Sequence, residues 1–104
     1  MLLHVEKADT FFKRLFGLTC RKRLPPYHGL LLSPCNSIHM LFMLFPIDAV
    51  FLDKNFTITK IVSNLKPWFG FAFSFHSFAV LELNAGEAER LHLSVGQSLH
   101  LEFI

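Results

Sequence analysis

The fold is decided by residues 33–68, which read SPCNSIHMLFMLFPIDAVFLDKNFTITKIVSNLKPW. Two short apolar runs lie in this segment, residues 41–45 ending at Pro46 and residues 49–52 ending at Asp53. Runs of this length, too short for a buried helix and bounded by turn residues, are typical of strands buried on both faces. We therefore predict one buried strand over 41–45 and another over 49–52.

The second half of the segment predicts a hairpin. Residues 57–65 are rich in β-branched side chains, which favour a strand (Thr57, Ile58, Thr59, Ile61 and Val62). Only residues 53–56 connect this strand to the apolar run before it, a length that suits a hairpin loop. We expect the strands over 49–52 and 57–65 to be antiparallel.

Asp48 is the polar residue of most interest, because it stands between Ile47 and Ala49 in apolar surroundings. A carboxylate is costly to bury unless it finds a charge partner or hydrogen-bond donors. The structural interpretation is a turn cap after Pro46 that accepts backbone N–H groups. The catalytic alternative pairs Asp48 with His39 as acid and base. Because no nucleophile motif or phosphate loop accompanies this pair, the balance is against an enzyme.

A family resemblance is carried by Ser37-Ile38-His39, Phe45-Pro46-Ile47-Asp48 and Asn64-Leu65-Lys66-Pro67-Trp68. These motifs resemble the bacterial and archaeal family known as domain of unknown function 192, or uncharacterised protein family 0127. The resemblance continues through Phe16-Gly17-Leu18 and Val80-Leu81-Glu82-Leu83, and covers nearly the whole chain. Two positions depart from the pattern: Leu44, where members often have Arg, and Thr19, where they often have Met. The resemblance implies a fold and no established activity.

The chain length of 104 residues predicts a single domain, residues 1–104, with 52% apolar residues available for its core. We predict an α+β fold, a mainly antiparallel small β-barrel or curved sheet of about six to seven strands. Residues 2–5 are expected to form an edge strand. Two short helices are expected near residues 10–17 and 85–91, the second beginning at Asn84 as N-cap with Glu87 completing a capping box.

Composition also gives expectations about location and cofactors. The start of the chain lacks the residue order of a signal peptide, and the longest apolar run has eight residues, against about 20 for a membrane helix. We expect a cytoplasmic protein of bacterial origin with no transmembrane segment. Cys20 and Cys35 lack close spacing and are expected to be reduced. Cys35 and His39, with His28 upstream, are too weak a pattern for zinc, so no metal or cofactor is expected.

Positive charge is concentrated early in the chain. Residues 10–47 contain no acid and five basic residues, namely Lys13, Arg14, Arg21, Lys22 and Arg23. Such a cluster can attract nucleic acid or an anionic surface. The simpler interpretation is a solvated helix and turn, because no nucleic-acid-binding motif accompanies it. Weak contact with an anionic surface through residues 13–23 remains a further alternative.

Residues 69–75, FGFAFSF, place four phenylalanines at a period of two, on one face of an extended chain. That face is either part of the core or an exposed loop that contacts a partner or mediates self-association, and we favour the exposed loop. The main prediction is a non-enzymatic binding or accessory module. Its protein or small-molecule partner is contacted by the 35–39 loop and the 69–75 segment, with these candidate residues: Cys35, Ser37, His39, Trp68, Phe71 and Phe73.

Overall fold

A computed structural model describes residues 3–8, 24–25 and 27–104. The described elements are eight strands and one short helix: β1 Leu3–Ala8, β2 His28–Leu32, β3 Ser37–His39, β4 Ile47–Leu52, β5 Ile58–Leu65, β6 Phe71–Phe73, β7 Ala79–Asn84, α1 Glu87–Arg90 and β8 Leu101–Phe103. The predicted helix near residues 10–17 lies outside the described residues. No described helix is long and apolar enough to cross a bilayer.

Six strands form one mixed sheet in the order β5-β4-β7-β2-β1-β8. Strand β1 runs parallel to both of its neighbours, and the other pairings are antiparallel. The sheet has two edges, β5 and β8, which do not pair with each other as strands; an isolated bridge joins Thr57 to Ser98 beside them. It is therefore not a closed barrel, whereas a curved sheet is compatible with this order. The first strand is also not an edge strand, because it is hydrogen-bonded on both sides.

A second sheet contains β3 and β6 in antiparallel register. It covers one face of the six-stranded sheet, where Ile38 and Ala72 join a core cluster with Ala49, Phe51 and Val80. The opposite face of the large sheet carries a second cluster, which is covered partly by residues of the α1 region. Because both faces of the central strands are covered, all six residues of β4 are buried.

The predicted hairpin is confirmed, since β4 and β5 pair antiparallel from Ile47 opposite Leu65 to Leu52 opposite Ile58. The strand predicted over 41–45 is wrong. This segment is a turn in which Phe42 has a φ of 63°, and the Met43 N–H donates to the Met40 carbonyl. A left-handed residue prevents an extended run, so Met43 and Phe45 reach the core while their neighbours stay exposed.

Helix α1 confirms the position of the second predicted helix but not its cap. Gly86 is the N-cap, with a φ of 92° and no side-chain cap from its own segment. Asn84 instead bonds the backbone of Leu24, donating from Nδ2 to the carbonyl and accepting from the N–H. The predicted capping box is wrong because the amide of Asn84 is used to hold a distant segment.

Candidate binding surface

The pairing of β3 with β6 brings together the two segments that the sequence indicated for binding. Ser37 lies opposite Phe73, and His39 lies opposite Phe71. Opposed residues in an antiparallel pair project from the same face of the sheet. Ile38 and Ala72, which alternate with them, are buried, so the outer face carries two phenylalanines, a histidine and a serine.

The phenylalanine segment combines parts of the two alternatives. It contains the strand Phe71–Phe73, but its rings are not core: Phe71 is 62% exposed, Phe75 78% and Phe69 93%. The small residue Ala72 is the one that packs inward, at 6% exposure. The favoured prediction of an exposed loop is therefore wrong about the backbone, which forms a strand at Phe71–Phe73, and right about the rings, which are exposed.

Ring contacts extend this surface beyond β6. Phe71 and Phe73 have centroids 6.1 Å apart, and Phe73 contacts Phe75 edge-on at 5.0 Å. A second pair, Phe42 and Trp68, makes an edge contact at 5.1 Å. We define the aromatic face as the exposed rings that these contacts and the intervening turn bring together, namely Phe42, Trp68, Phe69, Phe71, Phe73 and Phe75.

The turn that joins the two ring clusters is held by main-chain hydrogen bonds. The Trp68 N–H donates to the Met40 carbonyl over 2.7 Å, and the Met40 N–H donates to the Gly70 carbonyl over 2.9 Å. Gly70 is required here because a Cβ would lie 2.7 Å from Met40 Cγ and 2.8 Å from the Lys66 carbonyl oxygen. The aromatic face is thus fixed by backbone geometry at its centre.

A lysine lies against the aromatic face. Lys60 Nζ donates to the Phe73 carbonyl over 2.9 Å and lies 5.6 Å from the centroid of the Phe73 ring. Cations are attracted to the face of an aromatic ring, which also covers the aliphatic part of the side chain. The ammonium group is therefore held beside the rings.

Asp48 is 1% exposed and accepts three backbone hydrogen bonds. Its Oδ1 accepts the Asn64 N–H over 2.9 Å, and its Oδ2 accepts the N–H groups of Gly86 and Ala88, each over 3.0 Å. The carboxylate therefore caps helix α1 from the sheet and also holds Asn64, which has a φ of 55°. As the structural interpretation expected, Asp48 accepts backbone N–H groups, although these belong to β5 and the start of α1 and not to a local turn after Pro46.

The structure does not bring His39 and Asp48 together. Asp48 alternates along β4 with Ile47 and Ala49, which belong to the cluster beneath the small sheet, so it lies on the other face. His39 is on the outer side of the small sheet and exposed. The proposed acid–base pair is therefore separated by the large sheet.

Cys35 is the one predicted binding residue turned away from the aromatic face. Its thiol donates to the Ser37 carbonyl over 2.9 Å, and its side chain packs on the core cluster. His28 lies elsewhere, with its ring 5.4 Å from that of His4. In residues 3–8, 24–25 and 27–104, no three His, Cys, Asp or Glu side chains form a group that could hold a metal ion. Cys20 and the basic residues 13–23 lie outside these ranges.

Sequence reasoning missed Glu82, a carboxyl group that is 4% exposed in the middle of β7. Its neighbours on the two adjacent strands are Leu30 and Ala49. Burial away from water raises its pKa from 4.5 to about 8, because the charged form is desolvated. The signal in the sequence was an acid inside the apolar run 79–83.

Sequence reasoning also missed the exposed hydrophobic side chains of the turn after β3, namely Leu41, Phe42 and Leu44. A run of five apolar residues predicts burial, whereas the turn at the left-handed Phe42 exposes Leu41, Phe42 and Leu44 and buries Met43 and Phe45. Beside the aromatic face, next to Phe75, lies a depression of about 410 Å³ whose lining includes Asp53, Lys54 and His76.

Comparison with known proteins gives a consistent family. The sequence model described as "Uncharacterized ACR", domain of unknown function 192, matches residues 2–101. A member of uncharacterised protein family 0127 from Pyrococcus furiosus is 33% identical over 102 residues, covering 93% of this chain and 85% of that protein. A Pyrococcus horikoshii member is 44% identical over 69 residues, which are 62% of this chain and only 57% of that protein.

Two solved structures share the fold. A protein from Sinorhizobium meliloti, described as a proposed transcription regulator, has a TM-score of 0.86 and 32% identity, covering 92% of this chain and 79% of that one. A protein of unknown function from Novosphingobium aromaticivorans has a TM-score of 0.81 and 26% identity, covering 88% and 70%. The relatives are archaeal and these structures bacterial, so the expected bacterial origin stays a prediction.

Proposed function

Because the chain belongs to the domain of unknown function 192 family, whose activity is not established, we propose its function from its surface: a non-enzymatic binding module that docks through the aromatic face. One observation carries the proposal. All six side chains of the aromatic face are exposed, and ring contacts join Phe71, Phe73 and Phe75 in one group and Phe42 and Trp68 in another, with Phe69 in the turn between them. Large contiguous apolar patches on a folded surface mark interaction sites.

The rigidity of the aromatic face supports a role in binding. Phe71 and Phe73 project from a hydrogen-bonded strand, and Trp68 is fixed through its N–H to Met40. Aromatic side chains lose little conformational entropy on binding and contribute much of the energy of interfaces. His39 and Ser37 add polar groups to the same face. The candidate contact residues are therefore Ser37, His39, Trp68, Phe71 and Phe73, without Cys35.

A different function, nucleic-acid binding, would follow from the description of the Sinorhizobium protein and from the basic residues 13–23. Those residues lie outside the described residues. In the part of the chain that the structure describes, the helix has four residues and carries Glu87 and Glu89 in its first turn. The one basic residue of this helix, Arg90, is paired with Glu87, so the helix offers phosphate groups no unpaired cation, and the exposed rings favour the docking role.

The test uses Trp68, the single tryptophan of the chain, as a reporter inside the proposed site. Dodecyl maltoside micelles, which offer an uncharged apolar surface, are titrated into the protein while tryptophan emission is recorded. We expect a blue shift that saturates for the wild type and is lost in the Phe71→Ser/Phe73→Ser variant. A shift of equal size in both proteins would contradict docking through this face.

Phe103→Ser provides a matched control. Phe103 is 44% exposed, against 43% for Phe73, and both rings lie in three-residue strands. Each also has a lysine near it, Lys7 at 5.7 Å from the Phe103 centroid and Lys60 at 5.6 Å from that of Phe73. Because Phe103 lies outside the aromatic face, its variant should keep the wild-type micelle response.

A further inference from the structure

The charged side chains around the aromatic face are predominantly basic. Between residues 37 and 77 the chain has three lysines and only two acids, Asp48 and Asp53. Asp48 is buried beneath α1, and Asp53 is half-buried, with its Oδ1 accepting the N–H groups of Asn55 and Thr57. Asp48 is thus withdrawn from the surface and Asp53 is partly accessible beside Phe75, so three lysines face one accessible acid in this part of the chain.

Each lysine of this region is close to an aromatic ring or to the turn that carries one. Lys60 contacts Phe73, and the exposed Lys66 accepts the Gly70 N–H at its carbonyl in the turn beside Trp68. Lys54 lines the depression next to Phe75. The arrangement is an apolar centre with a cationic rim.

The rings of the aromatic face project outward from the described part of the chain. Phe69 is 93% exposed, and the depression lies at the edge of the aromatic face, beside Phe75. A groove that receives a helix or a peptide would hold these rings in its walls. Projecting rings need a soft apolar medium into which they can enter, and the boundary between headgroups and acyl chains is such a medium for Trp and Phe.

A second copy of the chain fits this face poorly. A two-fold contact places the same patch on both sides of the interface, so Lys60 and Lys66 of one copy would lie near those of the other. Like charges brought together at an interface are unfavourable. The charge pattern therefore favours a binding partner that offers an apolar region to the rings and negative charges to the surrounding lysines.

We infer that the aromatic face docks on an anionic phospholipid surface, with its rings in the interfacial layer and Lys60 and Lys66 against headgroup phosphates. This inference rests on the proposed docking function. It names the occupant by charge complementarity: the rings supply burial, and the lysines supply preference for negative lipids. An acidic protein surface is the competing occupant.

The experiment measures co-sedimentation with two kinds of vesicle, phosphatidylcholine alone and an equimolar mixture of phosphatidylcholine and phosphatidylserine. Trp68 emission is followed in the same samples. We expect the affinity for the mixed vesicles to be about tenfold or more higher than for the neutral ones, because each lysine near a negative surface adds attraction. Binding should weaken as salt is added, because salt screens this attraction.

Three variants and one control locate the contact. Lys60→Gln/Lys66→Gln should lose about tenfold or more in affinity for mixed vesicles and little for neutral ones, and Lys60→Arg should behave as wild type. Phe71→Ser/Phe73→Ser should lose binding to both vesicles. The matched control Lys7→Gln/Phe103→Ser removes a similar lysine and ring elsewhere, and should bind normally.

Several results would overturn the inference. Equal affinity for both vesicles would rule out an anionic lipid as the occupant and leave the docking function standing. Absence of vesicle binding with an intact micelle response would do the same and would favour an acidic protein surface as the occupant. Loss of binding in Arg21→Gln/Lys22→Gln/Arg23→Gln, with none in Lys60→Gln/Lys66→Gln, would move the contact to the basic segment. Failure of the micelle response itself would instead overturn the proposed function.

Discussion

Asp48 in strand β4 accepts a hydrogen bond from the backbone N–H of Ala88 in helix α1, over 3.0 Å and across 40 positions of the chain. The N-terminal N–H groups of a helix have no partners within the helix, and a carboxylate there also favours the helix dipole. Gly86 and Asn64 donate to the same side chain. One buried carboxylate therefore ties α1, β4 and β5 together.

Replacing Asp48 by Leu should lower the free energy of unfolding by about 3 kcal/mol, since the buried N–H of Ala88 and the part-buried N–H groups of Asn64 and Gly86 lose their acceptor. Urea denaturation of the variant measures this loss. Asp53→Leu is the matched control: Asp53 also accepts two backbone N–H groups but is only half-buried, so water can replace it and the loss should be smaller. An unchanged midpoint for Asp48→Leu would contradict a structural role.

Glu82 makes stability depend on pH in the opposite sense from a well-paired carboxylate. Below pH 4.5 the group is protonated in both the folded and the unfolded chain, so it carries no penalty. Between pH 4.5 and about 8 the unfolded chain has lost its proton while the folded chain keeps it, so folding becomes less favourable as pH rises. Above pH 8 the loss is complete.

Glu82→Gln should therefore be more stable than the wild type at pH 8, by an amount on the order of a few kcal/mol, and the difference should shrink toward pH 4.5. Melting temperatures of both proteins across this range provide the measurement. The exposed Glu89→Gln serves as control and should show no comparable trend. A constant difference between Glu82→Gln and the wild type would show that the carboxyl group is not desolvated.

How far the sequence could predict this fold depends on the range of the interactions involved. The β4–β5 hairpin follows from β-branched residues and a short connection, both local features. The position of β1 inside the sheet depends on its pairing with β8, which lies about 100 residues later in the chain. Local patterns predict a strand at Leu3 but not its neighbours.

The candidate site shows the same limit. A period of two places Phe71 and Phe73 on one face, but it does not tell which face meets solvent. That choice is made by Ala72 and Ile38, which pack on the core together. Likewise, Glu82 is buried only because Leu30 and Ala49 flank it from strands that are distant in sequence.

Gly70→Ala should destabilise the turn that carries Trp68. The new Cβ would lie 2.8 Å from the Lys66 carbonyl oxygen, a backbone atom that cannot move without breaking its hydrogen bond to the Gly70 N–H. We expect a lower melting temperature and a changed Trp68 emission maximum. Gly96→Ala is a useful comparison, because nothing lies within 4 Å of its Cβ and only its φ of 94° is strained. Its Trp68 emission should match that of the wild type, and an unchanged emission in Gly70→Ala would contradict the tight packing.

The double substitution Phe71→Ser/Phe73→Ser should cost little stability, about 1 kcal/mol, because both rings are exposed and lose only surface contacts with each other, Phe75 and Lys60. Phe51→Ser is the contrasting variant: Phe51 is fully buried in β4, and truncation of a core phenylalanine costs about 3–5 kcal/mol. Melting curves and sedimentation profiles of both variants and the wild type make the comparison. The double variant should have a melting temperature near that of the wild type and should self-associate no more than the wild type does. A large drop in its melting temperature with an unaltered association state would show that the rings stabilise the fold, and the docking surface would lose its main support.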